Sequence, residues 1–577
     1  MSSCTEPYTL LGFLSRSTSC DADDNTGPRS QVLRDYATRQ FNAFLWLSLI
    51  AITALLLRKV TKLFKLWAKG SLIPGPPCPS FYGHSKLISG ANLTEILSKS
   101  HEKYGSVVKL WLGPTQLLVS IKDPELIKEM LLKAKDKLPL TGRAFQLAFG
   151  QSSLFVSSFD KVQKRRDSLE TELNGKLLER ARVSPTKVVD CVMERIQDIT
   201  SKGSLDCIKV SQHLAFTILG ATLFGDAFLA WSKAAVYEEL LMMIAKDACF
   251  WASYSVTPFW KQGFWRYHCL CTRLKCLTQD IIQQCRQNYK LFCRVDLNLP
   301  HNETTNIGQD AASGAPHSSS DVMPDSLLLR ELDDRLDARE EPCGNITSVM
   351  FHGCLTTGGL ISNILARLVT HPELQDKIHS EIIRVQKGSQ KEDQQDVDKM
   401  LLLLATVYES ARLLPAGPLL QRCSLKHDLN LKTGVTIPAG AILVVPVQLV
   451  QMDDSNWGSD ASQFNPYRFL SEAHATSFTG SAEEPVDAGH SSFVLNDPNE
   501  NAAFLPFGSG TRACVGQKFA ILGVATLFAS LLKHYEIRLQ AGSENDPKPM
   551  MNNCVLQLLP SPKIVFMKRN SCIKKEA

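Results

Sequence analysis

Cys514 lies in the run Phe507-Gly508-Ser509-Gly510-Thr511-Arg512-Ala513-Cys514-Val515-Gly516, a thiol set among three glycines. Glycine has no Cβ, so the chain can turn tightly there and bring its backbone close to a flat ligand. Backbone N–H groups aimed at a sulfur favour the thiolate over the thiol. Arg512, two residues before the cysteine, can meet a carboxylate as a charge-assisted partner. Phe507 adds an aromatic wall seven residues before it. Together these would give a haem an axial iron ligand, a propionate partner and a packing surface. A structural cysteine buried beside a glycine turn would use the same residues and do no chemistry. Both readings stand on ten residues alone, and the surrounding elements must separate them.

Upstream, Glu409-Ser410-Ala411-Arg412 sits in a leucine-rich helical stretch. Residues three apart share a helix face, so Glu409 and Arg412 can pair. Such a spacing is common on surface helices and carries nothing by itself. Here it is followed by Phe464-Asn465-Pro466-Tyr467-Arg468-Phe469 and then by the cysteine loop. In that order the three elements closely resemble the cytochrome P-450 superfamily, with Cys514 in the haem-ligand position. The resemblance makes Glu409, Arg412 and Arg468 a structural charge triad that locks the cysteine loop in place. Tyr467 stands where the family usually has an acid or a small polar residue, which leaves the second partner of Arg468 open.

Further matches extend the resemblance over most of the chain. Pro74-Gly75-Pro76-Pro77 resembles the family's proline-rich hinge, and His371-Pro372-Glu373-Leu374 the start of the helix after its long central one. Ile437-Pro438-Ala439-Gly440 and Asn456-Trp457-Gly458 fit a turn and the meander before the loop. The resemblance implies a mostly α fold with a small β lobe, preceded by one transmembrane helix. It also implies haem b as cofactor and NADPH used indirectly, through an NADPH–cytochrome reductase, with cytochrome b5 as a possible second donor.

The central helix departs from the family pattern. Where the family has a glycine, an acid and a threonine pair, this chain reads His352-Gly353-Cys354-Leu355-Thr356-Thr357. The glycine keeps a local distortion possible, and Thr356 keeps a hydroxyl for proton delivery. Leu355 has no proton to give. Either Leu355 packs the core while water does the rest, or His352 replaces the acid. Chemistry that needs no O₂ activation is the third reading. A second departure lies at Val162-Gln163-Lys164-Arg165-Arg166, where the family has Trp-x-x-x-Arg. Arg166 can take a propionate, but Val162 has no indole N–H. Lys164 and Arg165 are either a solvated basic face or part of the reductase dock.

Length and composition agree with one large globular domain. The chain has 577 residues, 44% hydrophobic content and a net charge of +5, which is no nucleic-acid signature. Seventeen cysteines without framework spacing argue for reduced thiols facing the cytosol. In that compartment the sequons headed by Asn92, Asn302 and Asn345 would stay unmodified. Residues 41–57 carry no charge and just reach the length of a membrane span. Arg58, Lys59, Lys62, Lys65 and Lys69 follow, which places the downstream chain on the cytosolic side. The expected organisation is a disordered extension over 1–40, an anchor over 41–57, a basic and proline-rich hinge over 58–80 and a catalytic domain over 81–572. Segments 300–324 and 471–501 read as polar loop insertions.

The reading is therefore a single-pass enzyme of the endoplasmic-reticulum membrane that oxygenates a small hydrophobic substrate. Apolar segments near 140–154, 250–264, Leu419, Leu420 and 555–558 are the expected pocket lining. They suit a terpenoid, sterol or fatty-acid-like molecule. A haem-thiolate isomerase or dehydratase, and a haem binder with little turnover, are the alternatives.

Overall fold

The computed structural model describes residues 28–78, 82–84, 93–137, 159–183, 187–193, 205–252, 260–297, 344–387, 396–424, 426–472, 493–542, 547–552 and 555–569. The chain divides into two units, residues 1–68 and 69–577. The first holds nearly all of α1 (Pro28–Ser71), a 44-residue helix whose apolar side chains Phe41, Trp46, Ile50 and Leu56 are exposed. The expected boundaries are corrected here. The helix begins inside the extension expected to be disordered over 1–40, and it continues past residue 57 into the basic hinge. Lysine and arginine are good helix formers, so the charges after Leu57 end the apolar stretch without ending the helix.

In chain order the larger unit contains α2 (Leu93–Tyr104), β1 (Val107–Trp111), β2 (Leu117–Ile121), α3 (Pro124–Lys133), α4 (Phe159–Asn174) and α5 (Lys176–Val183). There follow β3 (Leu205–Asp206), α6 (Cys207–Phe224), α7 (Ala234–Ala252), α8 (Gln262–Leu297), α9 (Gly344–Thr370), α10 (Pro372–Lys387) and α11 (Leu401–Leu413). The last part holds β4 (Leu419–Arg422), β5 (Ile442–Pro446), β6 (Leu470–Glu472), β7 (Phe493–Leu495), α12 (Gln517–His534), β8 (Tyr535–Leu539), β9 (Lys548–Asn552), β10 (Val555–Leu559) and β11 (Lys563–Lys568).

Helices α6 and α9 form the centre. Neither has an Asp or Glu, and most of their residues are buried, as expected for helices that are apolar all round. Both are long and apolar enough to cross a membrane, yet 83% and 72% of their apolar windows are buried inside the body. Of the three described helices with such length and composition, only α1 has none of its window buried. Gly353 of α9 lies at this contact, where a Cβ would stand 3.0 Å from the Leu219 side chain of α6 and press on it. Asn363 of α9 donates to the carbonyls of Ser410 and Leu414, each at 2.9 Å, and so ties α9 to the end of α11. The start of α11 is held by Glu381 of α10, whose carboxylate accepts from Leu402 N and Leu403 N at 2.9 and 3.0 Å. That satisfies two of the donors every helix N-terminus leaves open.

The main sheet has the order β1-β2-β5-β4, with β2 and β5 parallel and the other pairs antiparallel. The proline segment is fastened to its edge: Lys109 N donates to Pro74 O at 2.8 Å, and Lys109 Nζ to Ser71 O at 2.7 Å. The segment 471–501 is also corrected. Its ends form an antiparallel hairpin, with Leu470 opposite Leu495 and Glu472 opposite Phe493. The insertion 300–324 and the pocket segment 140–154 lie outside the described residues.

Candidate active site

The cysteine loop is shaped by its own backbone and by two glycines. Cys514 N donates to Phe507 O at 2.8 Å, closing the loop, and Ala513 N donates to Gly510 O at 3.0 Å. Gly508 and Gly510 both have φ of +71°, a region costly for other residues. A Cβ on Gly510 would also stand 2.9 Å from Leu131 O at the end of α3, so this position admits nothing larger. Gly516 differs from the expectation: its φ is −101°, and a Cβ would meet only Leu173 at 3.8 Å. Its contribution is a donor, for its N–H reaches the Cys514 sulfur.

Cys514 directly precedes the amino end of α12, where unpaired N–H groups favour a negative charge. Its side chain is accessible, yet burial is the first influence on its thiol and raises it. Both hold for a sulfur at the floor of a recess. The Gly516 N–H and the Arg166 guanidinium pull the thiol back down. Arg166 also donates to Ala513 O at 2.5 Å. Val162, buried completely, packs with Phe159 one turn before Arg166 on α4. Phe507 is half-buried against the core.

Arg512 donates from Nε to Lys135 O at 2.6 Å and stacks 5.4 Å from the centre of the Phe159 ring. Arg422 at the end of β4 donates to Arg512 O at 3.2 Å. With Lys137 these residues form a cluster of cations that repel one another. Burial first, then Arg422, Arg512 and Arg166, push Lys137 down to about 7. Arg422 and Arg512 are each lowered to about 10, again by burial first. Arg422 Nε is buried with no hydrogen-bond partner among the described residues. Asp136 is the carboxylate that offsets Arg512. A patch so rich in buried positive charge fits a ligand carrying two carboxylates, as haem does through its propionates. Sequence reasoning found Arg512 and Arg166 but not Arg422 or Lys137, which no local motif marks.

Behind the loop, Glu409, Arg412 and Arg468 come together. Arg412 and Glu409 are fully buried and paired twice, Nε to Oε2 at 2.7 Å and Nη2 to Oε1 at 2.8 Å. Arg468 Nε reaches Glu409 Oε1 at 3.1 Å, and its Nη2 reaches Asp460 Oδ2 at 3.0 Å. Asp460 is thus the second partner of Arg468 that Tyr467 left open. Gln451, also fully buried, was missed altogether. Its amide donates to Arg412 O at 2.5 Å and accepts from Leu505 N at 2.8 Å, joining the charge cluster to the cysteine loop.

On α9, Leu355 is buried and Thr356 is exposed, although most of the helix is not. The helix is continuous through this region, so the local distortion kept open by Gly353 is not seen. Thr356 Oγ1 donates to His352 O at 2.7 Å. Burial, with Lys137 adding repulsion, lowers His352 to about 3, so its imidazole is neutral at physiological pH. Val555 and Leu556 of β10 are buried, and Leu419 and Leu420 of β4 half-buried. Phe264 is packed into the main core.

A cysteine with a backbone N–H on its sulfur just before a helix start, beside a buried cluster of cations, is the arrangement a haem-thiolate protein would need. The chain belongs to the cytochrome P-450 family, whose model matches residues 73–567. It is 25% identical to 11-oxo-beta-amyrin 30-oxidase of Glycyrrhiza uralensis, over 79% of this chain and 80% of that one. Cytochrome P-450 734A1 of Arabidopsis thaliana is 25% identical over 83% and 87%, and cytochrome P-450 4X1 of Mus musculus 23% over 85% and 91%. Identity is low throughout, so this is a divergent member. It is a haem-dependent cytochrome P-450 monooxygenase by family, and its apolar N-terminal helix fits membrane anchoring.

Proposed function

We propose that this enzyme inserts one oxygen atom from O₂ into a small hydrophobic substrate, using electrons from NADPH passed through a reductase, with cytochrome b5 as an accessory donor. The terpenoid oxidase among its relatives supports a substrate of terpenoid, sterol or fatty-acid type. The proposed site is the endoplasmic-reticulum membrane, with residues 69–577 on the cytosolic side. Bound haem would supply the redox chemistry, and the protein would supply ligation, orientation and protons. Cys514 would be the iron ligand, with Gly516 N–H and Arg166 offsetting part of the burial that raises its thiol. Arg166, Arg422, Arg512 and Lys137 would hold the propionates. Glu409, Arg412, Arg468 and Asp460 would fix the loop from behind. Thr356 would order the proton supply next to Leu355.

The single observation that carries this reading is the joining of the Cys514 loop to a buried cluster of mutually repelling cations. The family relationship favours monooxygenation over the isomerase or dehydratase alternative. The test is the spectrum of the reduced, CO-bound protein together with NADPH consumption beside reductase. Wild type and Cys354→Ser should show the family's red-shifted Soret band, because burial keeps the Cys354 thiol well above its usual range and inert. Cys514→Ser should lose that band. A thiolate spectrum without Cys514 would overturn the ligand, and a normal spectrum with no substrate-dependent NADPH use would overturn the monooxygenase.

A further inference from the structure

The proposed chemistry leaves the His352 side chain without a task. Its backbone carbonyl takes the Thr356 hydroxyl at 2.7 Å, but its imidazole, neutral at physiological pH, is no proton donor there.

The sides of α9 can be told apart by their glycines. A Cβ on Gly353 would stand 3.0 Å from the Leu219 side chain, and one on Gly358 3.3 Å from Gln212 Cα, so that side lies against α6. A Cβ on Gly359 would instead stand 2.6 Å from Val555 Cγ1 and 3.8 Å from Ala416 Cβ, on another side of the helix. His352, Thr356 and Gly359 follow one another at intervals of four and three, so they share this second side. Along it Thr356 is exposed and His352 half-buried, whereas Met350, Phe351, Cys354 and Ile361 around them are buried. A polar stretch left open in the middle of a buried helix marks a recess.

The cysteine loop is joined to the same side of α9. The chain leaving α11 runs from Ala416, beside Gly359, to Leu420, whose side chain would stand 3.7 Å from a Cβ on Gly508. One short segment thus meets the open side of α9 at one end and the cysteine loop at the other. The cation cluster is a second link. Lys137 repels charge on His352 and is itself repelled by Arg422, Arg512 and Arg166.

A haem iron with a thiolate on one face of the porphyrin keeps an axial position on the other. Neutral imidazole is a common iron ligand through the lone pair of a ring nitrogen. The Phe351 ring stands edge-on to His352 at 5.0 Å and restricts how the imidazole turns, and Nε2 is shielded from water.

We propose that His352 Nε2 is a reversible second axial ligand of the haem iron, bound in the substrate-free enzyme and displaced when an outside ligand enters the recess. This rests on the haem-thiolate reading of Cys514. Binding donates the imidazole lone pair to iron and displacement returns it, with no proton or electron transferred. The iron would thereby stay closed to O₂ until the recess is filled.

The test uses the full-length holoenzyme, ferric and substrate-free, with isotopically labelled histidine nitrogen. Pulsed electron paramagnetic resonance should show a labelled nitrogen coupled to the iron, and His352→Ala and His352→Leu should both lose it. Their Soret bands should move to shorter wavelength, and free imidazole should return the His352→Ala band to the wild-type position. Wild type should bind free imidazole about tenfold more weakly than His352→Ala, as expected when an internal ligand holds the iron in about nine molecules of ten. Wild type without a coupled histidine nitrogen would overturn the proposal, and that result needs no variant to fold. So would variants whose spectra match wild type. The reduced, CO-bound spectrum separates the two readings. A red-shifted band in wild type with no histidine coupling means that His352 fails and Cys514 stands. A wild type that never gives the band overturns the thiolate reading and this proposal together.

Discussion

The hydroxyl of Thr356 is committed on one side and open on the other. Its proton goes to His352 O at 2.7 Å, which leaves the oxygen to accept from water. Leu355 beside it is buried and has no proton, and His352 stays neutral down to about 3. The neutral imidazole argues against His352 as a stand-in for the missing acid. Thr356 is then the group on this stretch of α9 through which protons would be ordered. Thr356→Val keeps the shape, removes the hydroxyl, and should uncouple turnover. NADPH would still be consumed, with more of it ending as hydrogen peroxide and product falling by roughly tenfold or more, as for loss of general-acid help. The peroxide-to-NADPH ratio with any accepted substrate checks this, and an unchanged ratio and yield would remove Thr356 from the mechanism. Both residues were visible in the sequence because they fall inside a motif. The neutrality of His352 was not, because it depends on burial and on Lys137, which is remote in the chain.

At the scale of elements, three segments distant in sequence are tied by Gln451. Its amide bridges Arg412 O in α11 and Leu505 N just ahead of the cysteine loop, and its carbonyl accepts from Arg412 Nη1 at 2.5 Å. Around them, Tyr408, Trp457, Phe469 and Phe504 pack ring against ring, and Arg412 lies 5.0 Å from the centre of the Trp457 ring. Gln451→Leu would fill similar space but leave the Arg412 carbonyl and the Leu505 N–H buried without a partner. Each such loss costs about 1–3 kcal/mol, so a total of about 2–6 kcal/mol is expected. Denaturant unfolding should show that drop, with a lower fraction of haem-loaded protein after purification. Unchanged unfolding and full haem content would mean that the bridge does not hold the loop. The order of the E-x-x-R pair, the Arg468 segment and the cysteine loop was legible because each is a short run. Gln451 and Arg422 were not, since a polar residue read alone gives no sign of a partner forty or ninety positions away, and nor was the pairing of Asp460 with Arg468, eight positions on, because that spacing brings no pair into contact along a helix or strand. The hairpin Leu470–Leu495 escaped for a similar reason: its strands are three residues each, too short to show alternation.

The whole molecule divides into a helix made for lipid and a body with its own core. The uncharged residues 41–57 span about 26 Å at about 1.5 Å per residue, close to a bilayer's hydrocarbon core. The sequence showed that window by its lack of charge, but not the helical turns on either side, which polar helix formers continue. In residues 69–577 the proline segment is already bonded to β1 through Lys109, and the main core, the cation cluster and the cysteine loop are all contained there. A protein beginning at Lys69 should therefore fold, bind haem and give the same reduced CO spectrum as the full chain. Its membrane behaviour should change in a defined way. Sedimentation with phosphatidylcholine vesicles should disappear with α1. Haem-free or aggregated protein from this truncation would show that the body depends on α1. Vesicle binding that survives loss of α1 would show that another surface also meets lipid.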